Sequence, residues 1–247
     1  MGRKSQAGLR AGQNVRKLAL KRRVKAIFLF VMAGLAIAST ISLHQVSLQL
    51  SQLTTGTATS NQSSQSLQFS LSLYLYHLSG GAIALGAAFG GLYLWKRAGH
   101  ADQGAQAEEA IAKLLNPLIA EGWQIEYGLW LGKGLGDADV VCLSPRQQAF
   151  VIDVKSHRGT VVTDGVRLLR EFGAEKKPFE KDFLRQVKRQ AVQVKSQKNW
   201  SFFVAPILAF STAKVALPSG KIEDVYVVEA QRLVDLLRSL VAATPPE

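Results

Sequence analysis

Two uncharged apolar runs dominate the first third of the chain. The first covers residues 26–43 and the second covers residues 71–95, and neither contains Asp, Glu, Lys or Arg. As helices they would span about 27 Å and about 37 Å, against roughly 30 Å for the hydrocarbon core of a bilayer. The pattern therefore predicts two transmembrane helices, with the lipid bilayer as a partner of the chain.

The segments around these runs predict their orientation. Residues 1–25 form a basic tail, Lys96 and Arg97 follow the second run, and the connecting residues 44–70 are polar but carry no formal charge apart from histidine. The positive-inside rule then places the N-terminus and all residues after Lys96 in the cytoplasm. A cleavable signal peptide is the alternative for the first run, and it leaves the later residues on the same side.

Small residues in the second run suggest a packing surface. Gly86 and Gly90 are four residues apart, a spacing that lets helices approach closely in membranes. They could seat this helix on Ala33 and Gly34 or on a second copy of the chain. A homo-oligomer is therefore one expectation.

From residue 98 onward the apolar stretches become short and periodic, which predicts a separate α/β domain over residues 98–247. Its first helix is predicted at Asp102–Glu121, with Ile111 and Leu115 on the buried stripe. A second long helix is predicted from Pro178 to Trp200, begun by the proline, with an inward stripe of Phe179, Phe183, Val187, Ala191 and Val194. Strands are predicted at 123–131, 139–143, 149–156, 159–163, 166–172, 201–210 and 225–228, and a last helix at 229–241.

Two charges interrupt the apolar strand at 149–156. Strand side chains alternate between faces, so Asp153 and Lys155 lie on one face while Val154 points to the other. The preceding strand begins with Asp139 and is joined to this one by a turn at 144–148, so the two carboxylates should be close. Neighbours at i and i+2 are poorly placed to pair, which argues against a structural ion pair. We expect a divalent-metal site here.

Other polar residues have a functional and an ordinary interpretation. Glu108 lies beside the buried stripe of the first helix and could join the carboxylates, or it could simply favour the helix N-terminal dipole. Asp137 could substitute for Asp139, although Asp139 lies further into the strand. The second long helix carries a basic row that is either a solvated face or a track for phosphates, namely Lys181, Arg185, Lys188 and Arg189.

Bulk charge does not support nucleic-acid binding. The net charge is +12, but residues 1–97 hold 11 Lys/Arg and no acid, which leaves 19 Lys/Arg against 18 Asp/Glu in the remainder. The positive excess thus belongs to the membrane hairpin. The single cysteine, Cys142, excludes an intramolecular disulfide and a Cys-rich zinc site, and it is predicted to be a buried apolar residue.

The order of these elements resembles the nuclease-related domain, NERD, of the PD-(D/E)xK nuclease superfamily. The matching motifs are 107–112 around Glu108, 136–141 around Asp139 and 151–159 around Asp153-Val154-Lys155, while Gln186 falls where such domains often carry glutamine. Ala107 departs from the usual glycine, and Asp153 stands where glutamate is more frequent. The resemblance implies a restriction-endonuclease-like α/β fold, with a central mixed sheet flanked by helices.

The resemblance also implies a mechanism. Asp139 and Asp153, completed by Glu108, would bind Mg²⁺ or Mn²⁺, and Lys155 would hold the attacking water. Gln186 would orient the backbone or a water. The predicted function is a membrane-anchored, metal-dependent deoxyribonuclease with its domain in the cytoplasm. The alternative is an inactive module of the same fold that binds nucleic acid or a protein at the membrane.

Overall fold

The computed structural model describes residues 13–54 and 63–243. These residues form two compact units, one covering Lys17–His100 and the other combining the residues from Ala101 onward with those before Lys17. Part of the predicted basic tail and part of the predicted polar connection therefore lie outside the described residues.

Two long helices make up the N-terminal part. Helix α1 is Gln13–Thr54 and helix α2 is Ser63–Ala120. Both contain segments that are long and apolar enough to cross a membrane, Val15–Gln49 and Leu71–Ala120. Their outer surfaces expose large apolar side chains, such as Leu78 and Phe89. An exposed apolar surface of this extent is typical of contact with lipid.

The predicted helix limits in this region are wrong. The expected polar connection at 44–70 is helical at both ends, because no proline or glycine interrupts α1 between His44 and Thr54. The helix expected to begin at Asp102 is instead the last part of α2, since no proline precedes Pro117.

The two helices pack through small residues, and of the pair that the spacing favoured, Gly90 takes part but Gly86 does not. A Cβ atom placed on Gly90 would lie 3.2 Å from Leu29 Cδ1, and one on Gly91 would lie 2.7 Å from Phe30. Gly80 faces the Thr40 side chain in the same way. Among the described residues, no atom lies within 4 Å of a Cβ built on Gly86, so Gly86 does not seat this helix against α1.

A six-stranded mixed sheet is the centre of the second unit. Its spatial order is β1-β2-β3-β7-β10-β9, in which β1, β2 and β3 form an antiparallel meander and β7 runs parallel to β3. The strands are β1 Gln124–Trp130, β2 Asp137–Leu143, β3 Ala149–Lys155, β7 Val204–Phe210, β9 Lys221–Ile222 and β10 Val225–Glu229. Helices cover both faces, as the α/β prediction requires.

Alternation along the strands divides the core into two layers. Val151 and Leu208 point to one layer and pack with helix α3, Phe183–Gln197. Ile152 and Ile207 point to the other, together with the last turns of α2 and helix α4, Leu233–Ala243. A short 3₁₀ turn, Ala230–Arg232, precedes α4, so the last helix begins later than predicted. Cys142 is buried, as predicted.

A smaller four-stranded sheet interrupts the path from β3 to α3. Its order is β6-β5-β4-β8, with β4 Thr160–Thr163, β5 Leu168–Phe172, β6 Glu175–Pro178 and β8 Lys214–Val215. The predicted hairpin at Asp164 is confirmed, because Asp164 Oδ1 accepts from the backbone of Val166 at 3.0 Å and of Arg167 at 2.7 Å. The strands β6, β8 and β9 were not predicted, since they are short and polar.

The start of the second long helix was predicted wrongly. Pro178 is the last residue of β6, and the helix begins only at Phe183, after Asp182 accepts a hydrogen bond from Arg185 N at 2.9 Å. An aspartate N-cap satisfies a free amide of the first turn, which a proline cannot do. Phe179 consequently lies outside the helix and packs against Phe183 and Phe210 from the preceding loop.

Candidate active site

The two predicted carboxylates meet where β2 and β3 separate. Paired residues of these strands run from Leu143 and Ala149 to Val140 and Ile152, and the ladder ends there. Beyond it, Asp139 Oδ2 accepts a hydrogen bond from Val154 N at 2.7 Å, so this carboxylate replaces a backbone acceptor. Asp153 is 2% exposed on the central strand β3. Both acids are therefore held by the end of the sheet.

Lys155 contacts Asp153, contrary to expectation. Lys155 Nζ lies 2.6 Å from Asp153 Oδ2, although the contact lacks the direction of a good hydrogen bond. The lysine side chain is long enough to fold back along its own strand face, which the i, i+2 argument neglected. Its ammonium also lies 4.5 Å above the Phe183 ring, so α3 closes over the pair.

Acidic groups outnumber basic ones in this cluster, which holds three carboxyl groups and one ammonium group. Burial raises the pKa of Asp139 well above its usual range, and the nearby charges of Asp153 and Glu108 raise it further. Lys155 and the Val154 amide oppose this pKa shift but do not cancel it. Half-buried Glu108 is thus close enough to Asp139 to influence its ionisation, and the helix glutamate, the two strand acids and the lysine form one cluster.

A basic cleft lies beside the N-terminal half of α3. Its volume is about 480 Å³, and it lies between α3 and the glycine-rich loop at 132–136. Lys181, Arg185 and Arg189 line it at intervals of four residues, and none forms an ion pair with another described residue. Lys188 does not line the cleft, because its Nζ contacts Glu223 Oε2 at 2.7 Å.

The fold and the cluster agree with a family match. The family model of the nuclease-related domain, NERD, matches residues 103–211. This part of the chain is similar to nuclease-related domains. Neither the curated proteins nor the solved structures that were searched contain a match to the chain. The match covers Glu108, Asp139, Asp153, Lys155 and Gln186, and it does not reach the uncharged apolar runs at 26–43 and 71–95.

Two of the glutamines on α3, one helical turn apart, have different environments. Gln186 is half-buried and lines the basic cleft. Gln190 is 1% exposed, and its Nε2 donates to Asp137 O at 3.2 Å. Gln190 therefore ties α3 to the start of β2, two residues before Asp139. The single-turn spacing of the two glutamines was the only sequence signal for this contact.

His157 is a further polar residue that the sequence did not associate with the site. Its ring lies 5.1 Å from that of Phe179 and 5.3 Å from that of Phe183, measured between centroids. Burial lowers the pKa of His157, and the charges of Lys155 and Arg170 lower it further, against a smaller effect of Glu180. The imidazole is thus neutral at neutral pH and sits among the residues that cover Lys155.

The carboxylate oxygens of the cluster are suitable ligands for a hard divalent cation. Within residues 13–54 and 63–243, no three His, Cys, Asp or Glu side chains surround a common point that could hold a metal ion. Mg²⁺, however, commonly takes one or two carboxylates and completes its shell with water and substrate phosphate. The excess negative charge that raises the Asp139 pKa is the environment that such a cation would relieve. The donor set therefore fits Mg²⁺ or Mn²⁺.

Proposed function

We propose that this protein is a membrane-anchored, metal-dependent nuclease that hydrolyses phosphodiester bonds in DNA. The observation that carries the proposal is the cluster of Asp139, Asp153 and Lys155 at the end of a sheet, with Glu108 beside it, inside a nuclease-related domain. Carboxylates next to a lysine at the end of two internal strands are suited to phosphoryl transfer. That reaction depends on neutralising negative charge more than on a covalent nucleophile.

Asp139 and Asp153 would hold the cation, with Glu108 completing or hydrogen-bonding the ligand shell. When bound, the cation would polarise the scissile phosphate and lower the pKa of an attacking water. Lys155, whose contact with Asp153 is ionic, would lie next to the bound cation and so be placed to act on the attacking water.

Lys155 would act on the attacking water and on the phosphate. Its ammonium is fixed between Asp153 and the Phe183 ring, with only 13% of its side chain exposed, so little reorganisation is needed. A preorganised cation in a buried site stabilises the negative charge that develops on the phosphate oxygens. Gln186, at the wall of the basic cleft, would orient the substrate backbone or a water.

The basic cleft would take the substrate backbone. Arg185 and Arg189 lie one turn apart on α3 and Lys181 lies just before it. All three face a glycine-rich loop, whose lack of side chains allows close approach. Lys188, which belonged to the predicted phosphate track, is better assigned to the ion pair with Glu223. The proposed track therefore contains three cations.

The membrane segments would place this activity at the cytoplasmic surface. Lys96 and Arg97 follow the second apolar segment and the basic residues up to Lys25 precede the first, while no formal charge lies between. This asymmetry favours a cytoplasmic location for both ends of the chain.

A non-catalytic DNA-binding module is the second candidate. The close Asp153–Lys155 ion pair favours it, because in the metal-free state the two groups neutralise each other instead of facing a substrate. The basic cleft would then bind DNA without cutting it. Metal dependence separates the two candidates.

The test uses the full chain in detergent, incubated with supercoiled, linear and single-stranded DNA and with RNA. Each substrate is assayed with Mg²⁺, with Mn²⁺ and with EDTA. The proposal predicts cutting of DNA that requires the cation. DNA binding with no cutting under any condition would establish the module instead, and cutting of RNA alone would contradict the assignment of substrate.

A further inference from the structure

The membrane hairpin contains two histidines in an otherwise uncharged segment. Between Lys25 and Lys96 there is no Asp, Glu, Lys or Arg, and His44 and His77 are the only histidines. The fold brings these two together, with ring centroids 5.5 Å apart and the rings nearly perpendicular at 86°. Ionisable residues in apolar helices are usually retained for a function.

The tautomer of His77 leaves a lone pair directed into the protein. His77 Nδ1 lies 2.7 Å from the carbonyl oxygen of Leu73, and since a carbonyl only accepts, Nδ1 must carry the proton. The neutral ring then has an unprotonated Nε2. This Nε2 is buried and has no hydrogen-bond partner in the described part of the chain. Metal-binding histidines typically have this arrangement, in which one nitrogen donates to a carbonyl and the other ligates.

The separation of the rings fits a shared ion. Two imidazoles bound to one tetrahedral metal ion, with metal–nitrogen bonds of about 2.0–2.1 Å, have their ring centres roughly 5 Å apart. The observed separation is close to this value. His44 is exposed, so ligands other than the two imidazoles can reach the ion. Imidazole ligands without carboxylates select late transition metals over Mg²⁺ or Ca²⁺.

The pair lies near one end of the apolar part of the hairpin, because His44 directly follows the run at 26–43 and His77 lies in the first two turns of the run at 71–95. At the other end, Arg22 Nη1 donates to Arg97 O at 3.2 Å. His44 and His77 are about 30 Å from that level along their helices, which is near the thickness of a bilayer core. In the proposed topology this end faces the side of the membrane opposite the nuclease-related domain.

We propose that His44 and His77 form a binding site for a divalent late transition-metal ion, such as Zn²⁺ or Cu²⁺, at this end of the hairpin. His77 binds through Nε2, His44 provides the second nitrogen, and water fills the remaining positions. The site is separate from the carboxylate cluster and does not depend on nuclease activity.

The experiment measures Cu²⁺ binding by the full chain, purified in detergent through a tag that contains no histidine. Electron paramagnetic resonance of the wild-type protein should show one Cu²⁺ with splitting from two imidazole nitrogens, and Zn²⁺ should displace it. Cu²⁺ on the carboxylate cluster would lack this nitrogen splitting, so the two sites are distinguishable in one spectrum.

Two variants and a control complete the test. His44→Phe and His77→Phe keep an aromatic ring in the hairpin but remove the nitrogen ligand, and each should weaken Cu²⁺ binding at least tenfold. His100→Gln alters an exposed histidine outside the pair and should bind as the wild type does. A wild-type spectrum without two-nitrogen splitting would overturn the proposal. Unchanged Cu²⁺ affinity in both phenylalanine variants would also overturn it.

Discussion

Burial and the neighbouring carboxylates raise the pKa of Asp139 well above the usual range of an aspartate. Between the pKa of the unfolded chain and the raised pKa of the metal-free folded state, the Asp139 carboxyl keeps a proton when folded and loses it when unfolded. Stability is therefore favoured at low pH and falls as the pH rises from the ordinary aspartate range, near ~3.9, through the raised pKa.

Asp139→Asn removes this pH dependence. The amide oxygen can still accept from Val154 N, whereas the repulsion with Asp153 and Glu108 disappears. In EDTA at neutral pH we expect the variant to be more stable than wild type by roughly 1 kcal/mol or more, with the difference vanishing near pH 4. Thermal unfolding followed by near-ultraviolet circular dichroism from pH 4 to 8 measures it. A difference that grows toward low pH would contradict the assignment.

The Asp153–Lys155 pair predicts strong coupling between two substitutions. Lys155→Met leaves the acids without their cation, and Asp153→Asn leaves a nearly buried ammonium with no opposite charge at contact distance, so each should destabilise the metal-free fold by about 3 kcal/mol. The double variant should recover much of this loss. A double-mutant cycle of unfolding free energies provides the measurement, and additive effects would mean that the contact contributes nothing.

At the residue scale, the alternation of strand side chains was enough to predict where Asp153 and Lys155 lie. It did not predict their contact, because the reach of a lysine side chain depends on what covers it, here the Phe183 ring. Gln190 and His157 could not be assigned from the sequence either. Their environments arise from tertiary contacts with β2 and with the loop before α3.

At the scale of elements, the basic residues of α3 differ in what their side chains contact. Arg185 and Arg189 line the cleft, whereas one turn of helix away from Arg185 the Lys188 ammonium is engaged by Glu223. Arg185→Ala and Arg189→Ala should each weaken DNA binding. Each should also reduce the slope of log affinity against log salt concentration by about one.

Lys188→Ala is the matched control, since it removes a cation from the same helix outside the cleft. It should leave both the affinity and the salt slope close to wild type. Fluorescence anisotropy with labelled duplex DNA at several salt concentrations distinguishes the variants. Equal losses for Lys188→Ala and Arg185→Ala would show that DNA contacts the helix generally and that the cleft is not the binding surface.

The conformation of Gly159, in the turn after β3, leads to a prediction about the stability of the domain. Gly159 has a φ of +96°, and a Cβ atom there would lie 2.7 Å from the Glu171 carbonyl oxygen. Gly165 has the same φ of +96° but open space around it. Gly159→Ala should therefore destabilise the domain by about 2 kcal/mol more than Gly165→Ala, because only the first adds a clash to the backbone strain. Equal losses of thermal stability would contradict this.

Element limits were the weakest part of the sequence prediction, for identifiable reasons. Pro178 fits the first turn of a helix, but it also fits an edge strand, and the N-cap Asp182 decided between them. The continuous helix α2 was divided because the change in composition near Lys96 was interpreted as a change in structure. The composition of a helix indicates its surroundings, but it does not indicate where the helix begins or ends.

At the scale of the whole molecule, the charge pattern predicts a topology. Both ends of the chain should lie on one side of the membrane and the connection between the apolar segments on the other. Reporters at positions 62 and 247, which lie outside the described residues, measure this in cells. Opposite locations are expected, and the same location for both would refute the hairpin.

The central claim is that the Asp153–Lys155 end of the sheet is a metal-dependent nuclease centre. The most direct measurement is the rate of Mg²⁺-dependent DNA cutting by the full chain carrying Asp153→Asn, compared with wild type and Glu109→Gln. Glu109 is a matched control, because it lies next to Glu108 in sequence but pairs with Arg16 at 2.7 Å. We predict a loss of at least about 100-fold for Asp153→Asn and an unchanged rate for Glu109→Gln. Cutting by Asp153→Asn at the wild-type rate would contradict the account.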